Sequence, residues 1–191
     1  MSRDSDKFAI AEVVNGWIYR DTGQWDKLST LFTEEATIEV TWFEGSAQAF
    51  IEASRTMAAS TLSSKHLIGM PLIAFNDDKA VAETNATIVG MNESIALGST
   101  THCRLIDCLI KQGGEWKIVD RQVVYDSSAF DFPKGAVAID PQIIDRFPMA
   151  YASLGYILHS GGYEIKRRFA TRNSPEERTI RQKAEAWLQH R

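Results

Sequence analysis

Three long extended segments, Ala80–Met91, Ser99–Lys111 and Trp116–Tyr125, follow one another in the second third of this chain, and they limit its fold more than any other feature. The last two are separated only by Gln112-Gly113-Gly114-Glu115, a tight hairpin turn. A fourth extended candidate, His66–Phe75, precedes them across the polar turn Asn76-Asp77-Asp78-Lys79. Consecutive strands joined this way pair antiparallel, so this region reads as a meander. Upstream, the spacing changes. Ile10, Val14, Trp17 and Ile18 fall at three- and four-residue steps and predict a helix over Ser5–Arg20, with Gly23 as its stop. Trp25–Phe32 reads as a short second helix and Gly45–Ala59 as a third. Between these two, Ala36–Phe43 alternates, with Ile38, Val40 and Trp42 on one face and Thr37, Glu39 and Thr41 on the other. The expected class is α+β: a curved antiparallel sheet with helices packed on one side.

The last third differs. Asp126–Pro148 is rich in proline and looks irregular, while Met149–His159 and Pro175–Leu188 carry helical spacing. Ser174-Pro175-Glu176-Glu177 is a strong helix start: a capping serine, proline in the first turn and acids on the positive end of the helix dipole.

With 191 residues and 44% hydrophobic side chains, the chain can bury a substantial core. Its net charge of −4 argues against generic nucleic-acid binding, which needs clustered positive charge. No apolar run approaches the roughly 20 residues that span a bilayer, so no membrane segment is expected. The start, Met1-Ser2-Arg3-Asp4-Ser5-Asp6-Lys7, is polar with no secretory segment behind it. Cys103 and Cys108 sit five apart on one strand and should face opposite ways, so no disulfide is expected and a cytoplasmic setting is the natural reading. His66, His102, His159 and His190 are scattered without ligand spacing, and no metal or other cofactor is expected.

Two residues stand out chemically. Asp21 continues the stripe of Val14 and Trp17, so it points into the core that its helix covers. His66 opens an extended segment. A carboxylate that orients a neutral imidazole makes a general base. Taken singly, Asp21 can cap the second helix and His66 can be a core histidine bonded to backbone. Farther on, Arg121 and Asp107 both fall on mostly apolar faces, Arg121 with Val119, Val123 and Tyr125. Either the two form a structural ion pair across neighbouring strands, or Arg121 reaches into a cavity to steady developing charge. Arg104 faces the other way, toward solvent or an interface, and Lys166-Arg167-Arg168 reads as a solvated face.

Several landmarks in order resemble one family. They are Asp21 ahead of Trp25-Asp26-Lys27-Leu28, Leu31-Phe32-Thr33-Glu34-Glu35-Ala36 leading into the first strand, and His66-Leu67-Ile68-Gly69. Arg104-Leu105-Ile106-Asp107 follows, then Gly114-Glu115-Trp116-Lys117-Ile118 with Arg121 and Tyr125-Asp126. Together they resemble the nuclear-transport-factor-like superfamily, in particular its SnoaL-like branch, which includes scytalone dehydratase and hexachlorocyclohexane dehydrochlorinase. The resemblance implies a cone-shaped domain over residues 1–130, with residues 131–191 as a helical extension at the cavity mouth. It also implies a homodimer or homotrimer.

For the site, the resemblance implies Asp21 and His66 as the catalytic dyad. Arg121 joins them as charge stabiliser, with Tyr19, Val40, Trp42, Met70, Cys103, Asp107 and Tyr125 around a small hydrophobic substrate. The dehydratase's second histidine is absent: Thr87-Ile88-Val89-Gly90-Met91 stands in that region, and Val40 takes the place of its tyrosine. The expected activity is a cofactor-independent lyase that removes water, halide or formaldehyde from an aromatic or cyclic molecule. An isomerase or cyclase, or a non-catalytic binding module, is the alternative.

Overall fold

The computed structural model describes residues 3–190. Seven strands form one strongly curled sheet in the order β2-β1-β7-β6-β5-β3, with β4 also paired to β5. Its spine is the expected meander, β5 (Lys79–Asn92), β6 (Leu97–Gln112) and β7 (Glu115–Asp131), antiparallel throughout. The Gly113-Gly114 turn adopts positive φ at both positions, which glycine allows at no steric cost. Strand β1 (Phe32–Val40) lies parallel to β7, so the sheet is not wholly antiparallel. That pairing joins segments far apart along the chain, and no local pattern encodes it.

Three local readings need correction. The first helix ends early: α1 is Arg3–Asn15, and a separate turn, α2 (Ile18–Asp21), follows. A Cβ at Gly16 would lie 2.7 Å from a Leu31 methyl, so the break lets Leu31 pack against the backbone. Next, β1 stops at Val40. Thr41-Trp42 turn the chain back into β2 (Phe43–Ser46), which pairs with β1 before α4 (Ala47–Ala58) begins on its Ser46 cap. Finally, the single strand expected at 66–75 is two, β3 (Leu62–Ile68) and β4 (Leu72–Asn76), paired with successive stretches of β5. Pro71 has no N–H and restricts Met70 before it, so the ladder is interrupted there.

The concave face of the sheet closes over α1, α2, α3 (Trp25–Thr30) and α4. Ile10, Val14, Leu28 and Phe50 are fully buried there. The Phe50 ring packs 5.3 Å from Trp17, 5.4 Å from Trp42 and 5.4 Å from Phe43, centroid to centroid. Downstream come the short α5 (Pro141–Ile144), then α6 (Ala152–Ser160) and α7 (Pro175–Gln189). Helix α6 packs on β5, β6 and β7; Asn92 Nδ2 donates to the Ile157 carbonyl at 3.2 Å, tying it down. Helix α7 lies on the opposite side of β6, over Ile106 and Cys108, with Ile180 and Ala184 inward. Cys103 belongs to the inner core and Cys108 to this outer one, and both are free thiols.

Arg104 is not a solvent residue. It donates to Asp126 at 2.8 Å, to Glu177 of α7 at 2.7 Å and to Glu83 at 3.3 Å, pinning α7 to the sheet. Lys166, Arg167 and Arg168 are exposed, as expected, and Arg167 pairs at the surface with Glu39 and Glu44 and lies over the Phe169 ring. No helix of the described residues is long and apolar enough to cross a membrane.

Candidate active site

Asp21 ends α2 and His66 lies on β3. The curl of the sheet brings them together: His66 Nδ1 sits 2.7 Å from Asp21 Oδ1, and the His66 backbone N–H donates to Asp21 Oδ2 at 2.6 Å. Both carboxylate oxygens therefore fix one histidine, its ring and its backbone together. The side chains are 7% and 10% exposed. Burial is the main influence on the imidazole and, with the Arg20 and Arg121 cations nearby, holds its pKa below the ordinary value against the pull of Asp21. The neutral ring donates from Nδ1 to the carboxylate, which leaves the Nε2 lone pair without a partner among the described residues.

His66 borders a cavity of about 60 Å³. Trp17 lines it from the link between α1 and α2, Phe50 from α4, Val40 and Trp42 from the end of β1 and the turn after it, Ile88 and Gly90 from β5, and Leu154, Ile157 and Leu158 from α6. Gly90 matters here, because a Cβ would come within 2.9 Å of Ile157 Cδ1 and push α6 away. Tyr125 and Thr41 supply polar edges. Tyr125 is 1% exposed, and its hydroxyl accepts from the Thr41 N–H at 3.1 Å; burial raises its pKa, so it stays protonated.

The other expected residues divide. Val40, Trp42 and Tyr125 reach the cavity wall. Met70 does not: it is 74% exposed in the β3–β4 turn, because the strand that should have carried it inward is broken by Pro71. Tyr19 is half-buried against the inner core but does not line the cavity, and Lys27 Nζ lies 5.6 Å from its ring centroid. Cys103 is buried away from the cavity, and burial pushes its thiol up to about 12.

Arg121 and Asp107 are also outside the lining. Both are fully buried and meet in a two-pronged pair, Nε to Oδ1 and Nη2 to Oδ2, each at 2.7 Å. The Trp17 ring covers the guanidinium at 4.5 Å and separates it from the cavity. Val119 is not on Arg121's face, because a bulge opposite Cys108–Leu109 shifts the alternation of β7.

Arg20 is the residue that the sequence reading missed. It lines the cavity and also an adjoining hollow of about 170 Å³, bordered by Asp21, Trp25, Ser54, Met57 and Ala58. The available signal was helical: Arg20 is three positions from Trp17 and shares its side, as Asp21 does. Among the described residues, no group of three His, Cys, Asp or Glu side chains is placed to hold a metal ion.

Residues 3–122 match the family model of the SnoaL-like domain. The chain belongs to the SnoaL-like family. No curated protein matches it in sequence. Solved structures share the SnoaL-like fold at low identity. A scytalone dehydratase-like protein of Novosphingobium aromaticivorans has 15% identity and a TM-score of 0.60, over 73% of this chain and 94% of that one. A hexachlorocyclohexane dehydrochlorinase (LinA type 2) has 14% identity and a TM-score of 0.60, over 74% and 97%. A protein of unknown function from Mycobacterium tuberculosis has 19% identity and a TM-score of 0.55, over 81% and 93%. At these identities the likeness concerns the fold, and chemistry must be argued from this SnoaL-like site itself.

Proposed function

We propose that this protein is a cofactor-independent lyase that eliminates a small group from a hydrophobic aromatic or cyclic substrate. The Asp21–His66 contact at the cavity wall carries the reading. His66 Nε2 takes a proton from the substrate. Asp21 holds the ring in the right tautomer and stabilises the imidazolium that forms. The aromatic lining supports an apolar substrate, and the names of the dehydratase-like and dehydrochlorinase structures support elimination.

Arg121 enters as the support of Trp17, not as a contact to substrate. The lining has no second histidine, and the Tyr125 hydroxyl, made a weaker acid by burial, points its proton at Thr41 Oγ1 at 3.5 Å. Departure of the leaving group thus has little acid assistance, which favours halide or formaldehyde over water. The same shortage favours one second reading, an isomerase in which His66 returns the proton it removed.

The test is a panel of β-halo, β-hydroxy and hydroxymethyl aromatic compounds, followed by ultraviolet absorbance of the new double bond and by halide or formaldehyde release. His66→Ala and Asp21→Asn should both lose turnover; unchanged turnover overturns the dyad. Solvent deuterium entering substrate without elimination selects the isomerase. The reading includes a homodimer or homotrimer, which the neighbouring exposed Leu67, Met70 and Leu72 favour and sedimentation equilibrium would test.

A further inference from the structure

The two buried arginines of the inner core end differently. Arg121 presents its Nε/Nη2 edge to Asp107, and both hydrogens of that edge are taken at 2.7 Å. Arg20 presents the same edge to almost nothing. Its Nη1 donates to Ser64 Oγ at 2.7 Å and lies 3.5 Å from Asp21 Oδ1. On the other edge, among the described residues, Nη2 meets only the Met57 thioether at 3.5 Å, a weak acceptor, and Nε is buried with no partner. The side chain is 8% exposed. Burial depresses the Arg20 pKa while Asp21 pulls the other way, as fits a cation that is poorly compensated.

Asp21 lies on the Nη1 side of the guanidinium, 3.5 Å away, and so leaves the Nε/Nη2 edge without a carboxylate. The hollow beside Arg20 holds a second orphan, Ser54 Oγ, also buried without a partner. Arg20, Met57, Leu62, Ser63 and Ser64 border both this hollow and the cavity of His66, so the two spaces share a wall. Met57 is the adaptable piece of that wall, since an unbranched thioether changes rotamer readily.

We propose that Arg20 is the substrate-anchoring residue and that the ligand is an aromatic acid whose carboxylate takes the Nε/Nη2 edge of Arg20. A planar pair of oxygens matches that edge in two parallel hydrogen bonds, as Asp107 does on Arg121. The Ser54 hydroxyl gives a further donor in the same hollow. With its carboxylate there and Met57 displaced, the apolar part of the ligand extends across the shared wall toward His66. This deepens the lyase reading by naming a substrate class, and it rests on that reading only for the outcome of chemistry, not for binding.

The experiment is calorimetric titration of the protein with trans-cinnamate and with the neutral isostere cinnamamide. The wild type should prefer the acid by roughly 10- to 100-fold, the size of a charge-assisted hydrogen-bonded contact. Arg20→Met should remove the preference, and Arg20→Lys should keep only part of it. A crystal soaked in 4-bromocinnamate should place the carboxylate on Arg20 by the position of the bromine, and this needs no variant. Equal affinity for acid and amide, binding of neither, a preference that survives in Arg20→Met, or a carboxylate found elsewhere overturns the proposal. His66→Ala separates it from the dyad: the acid preference should persist in that variant whether or not turnover is lost.

Discussion

Asp107→Asn tests whether the ion pair beneath Trp17 is structural. Both side chains are 0% exposed and joined by two 2.7 Å hydrogen bonds, while Arg121 Nη1 has no hydrogen-bond partner among the described residues. Removing the aspartate's charge leaves a buried guanidinium held by one amide oxygen and the face of Trp17. Breaking a buried pair on one side costs about 3–5 kcal/mol, because the surviving charge cannot regain its hydration. For a chain of this size that corresponds to a melting temperature lower by roughly 6–20 °C. Replacing both partners, Asp107→Leu with Arg121→Met, leaves no orphan charge and should come within about 1 kcal/mol of wild type. Urea unfolding of the two singles and the double, read as a double-mutant cycle, measures the coupling. A single variant losing less than about 1 kcal/mol would refute the argument from desolvation. A double variant of normal stability whose turnover falls more than tenfold would refute the structural assignment and return Arg121 to the chemistry. The His66 pKa, followed by NMR, should rise in the double variant, since Arg121 is one of the cations depressing it.

Other outcomes follow from the same geometry. Asp21→Asn keeps one acceptor but not the charge that stabilises the imidazolium, so kcat should fall by roughly 10²–10⁴-fold with KM little changed; an unchanged kcat removes Asp21 from the mechanism. In the proposed reaction His66 acts as the neutral base, and burial holds its folded pKa below 6.5, so the acid limb of the kcat profile should fall below pH 6.5. The unfolded chain binds the His66 proton first as pH drops, so this residue's share of stability declines from pH 6.5 downward, which acid titration of the melting temperature would detect. Glu177 behaves likewise at lower pH. Burial opposes its ionisation, but Arg104, the Asn173 N–H and Arg181 bring it down to about 2, so its contribution is complete above 4.5 and lost between there and 2. Glu177→Gln should loosen α7, seen as faster hydrogen exchange in residues 175–189 with the cavity unaffected. Gly90→Val should destabilise the protein by about 1–3 kcal/mol through overpacking against Ile157, and a normal melting temperature would mean that α6 is not seated as described.

Much of the site was readable before any coordinates. Asp21 and His66 are nominated by the resemblance to the SnoaL-like branch, Asp21 also as a continuation of the stripe of Val14 and Trp17. The structure brings the two side chains together although α1 ends before Asp21. The misreadings share one cause, a local break in an otherwise regular pattern. Pro71 ends the strand that would have turned Met70 inward, the β7 bulge takes Val119 off the face of Arg121, and Thr41-Trp42 fold β1 back on itself.

Periodic patterning and short turns were enough to determine the β5-β6-β7 meander and the approximate places of the helices, because these depend on neighbours along the chain. Three further features depended on contacts between distant segments. These are the parallel docking of β1 on β7, the burial of Arg121 behind Trp17, and the half-satisfied Arg20 between two hollows. Whether a buried charge is saturated or left wanting a partner is a matter of three-dimensional hydrogen-bond geometry, and only the closed tertiary structure decides it.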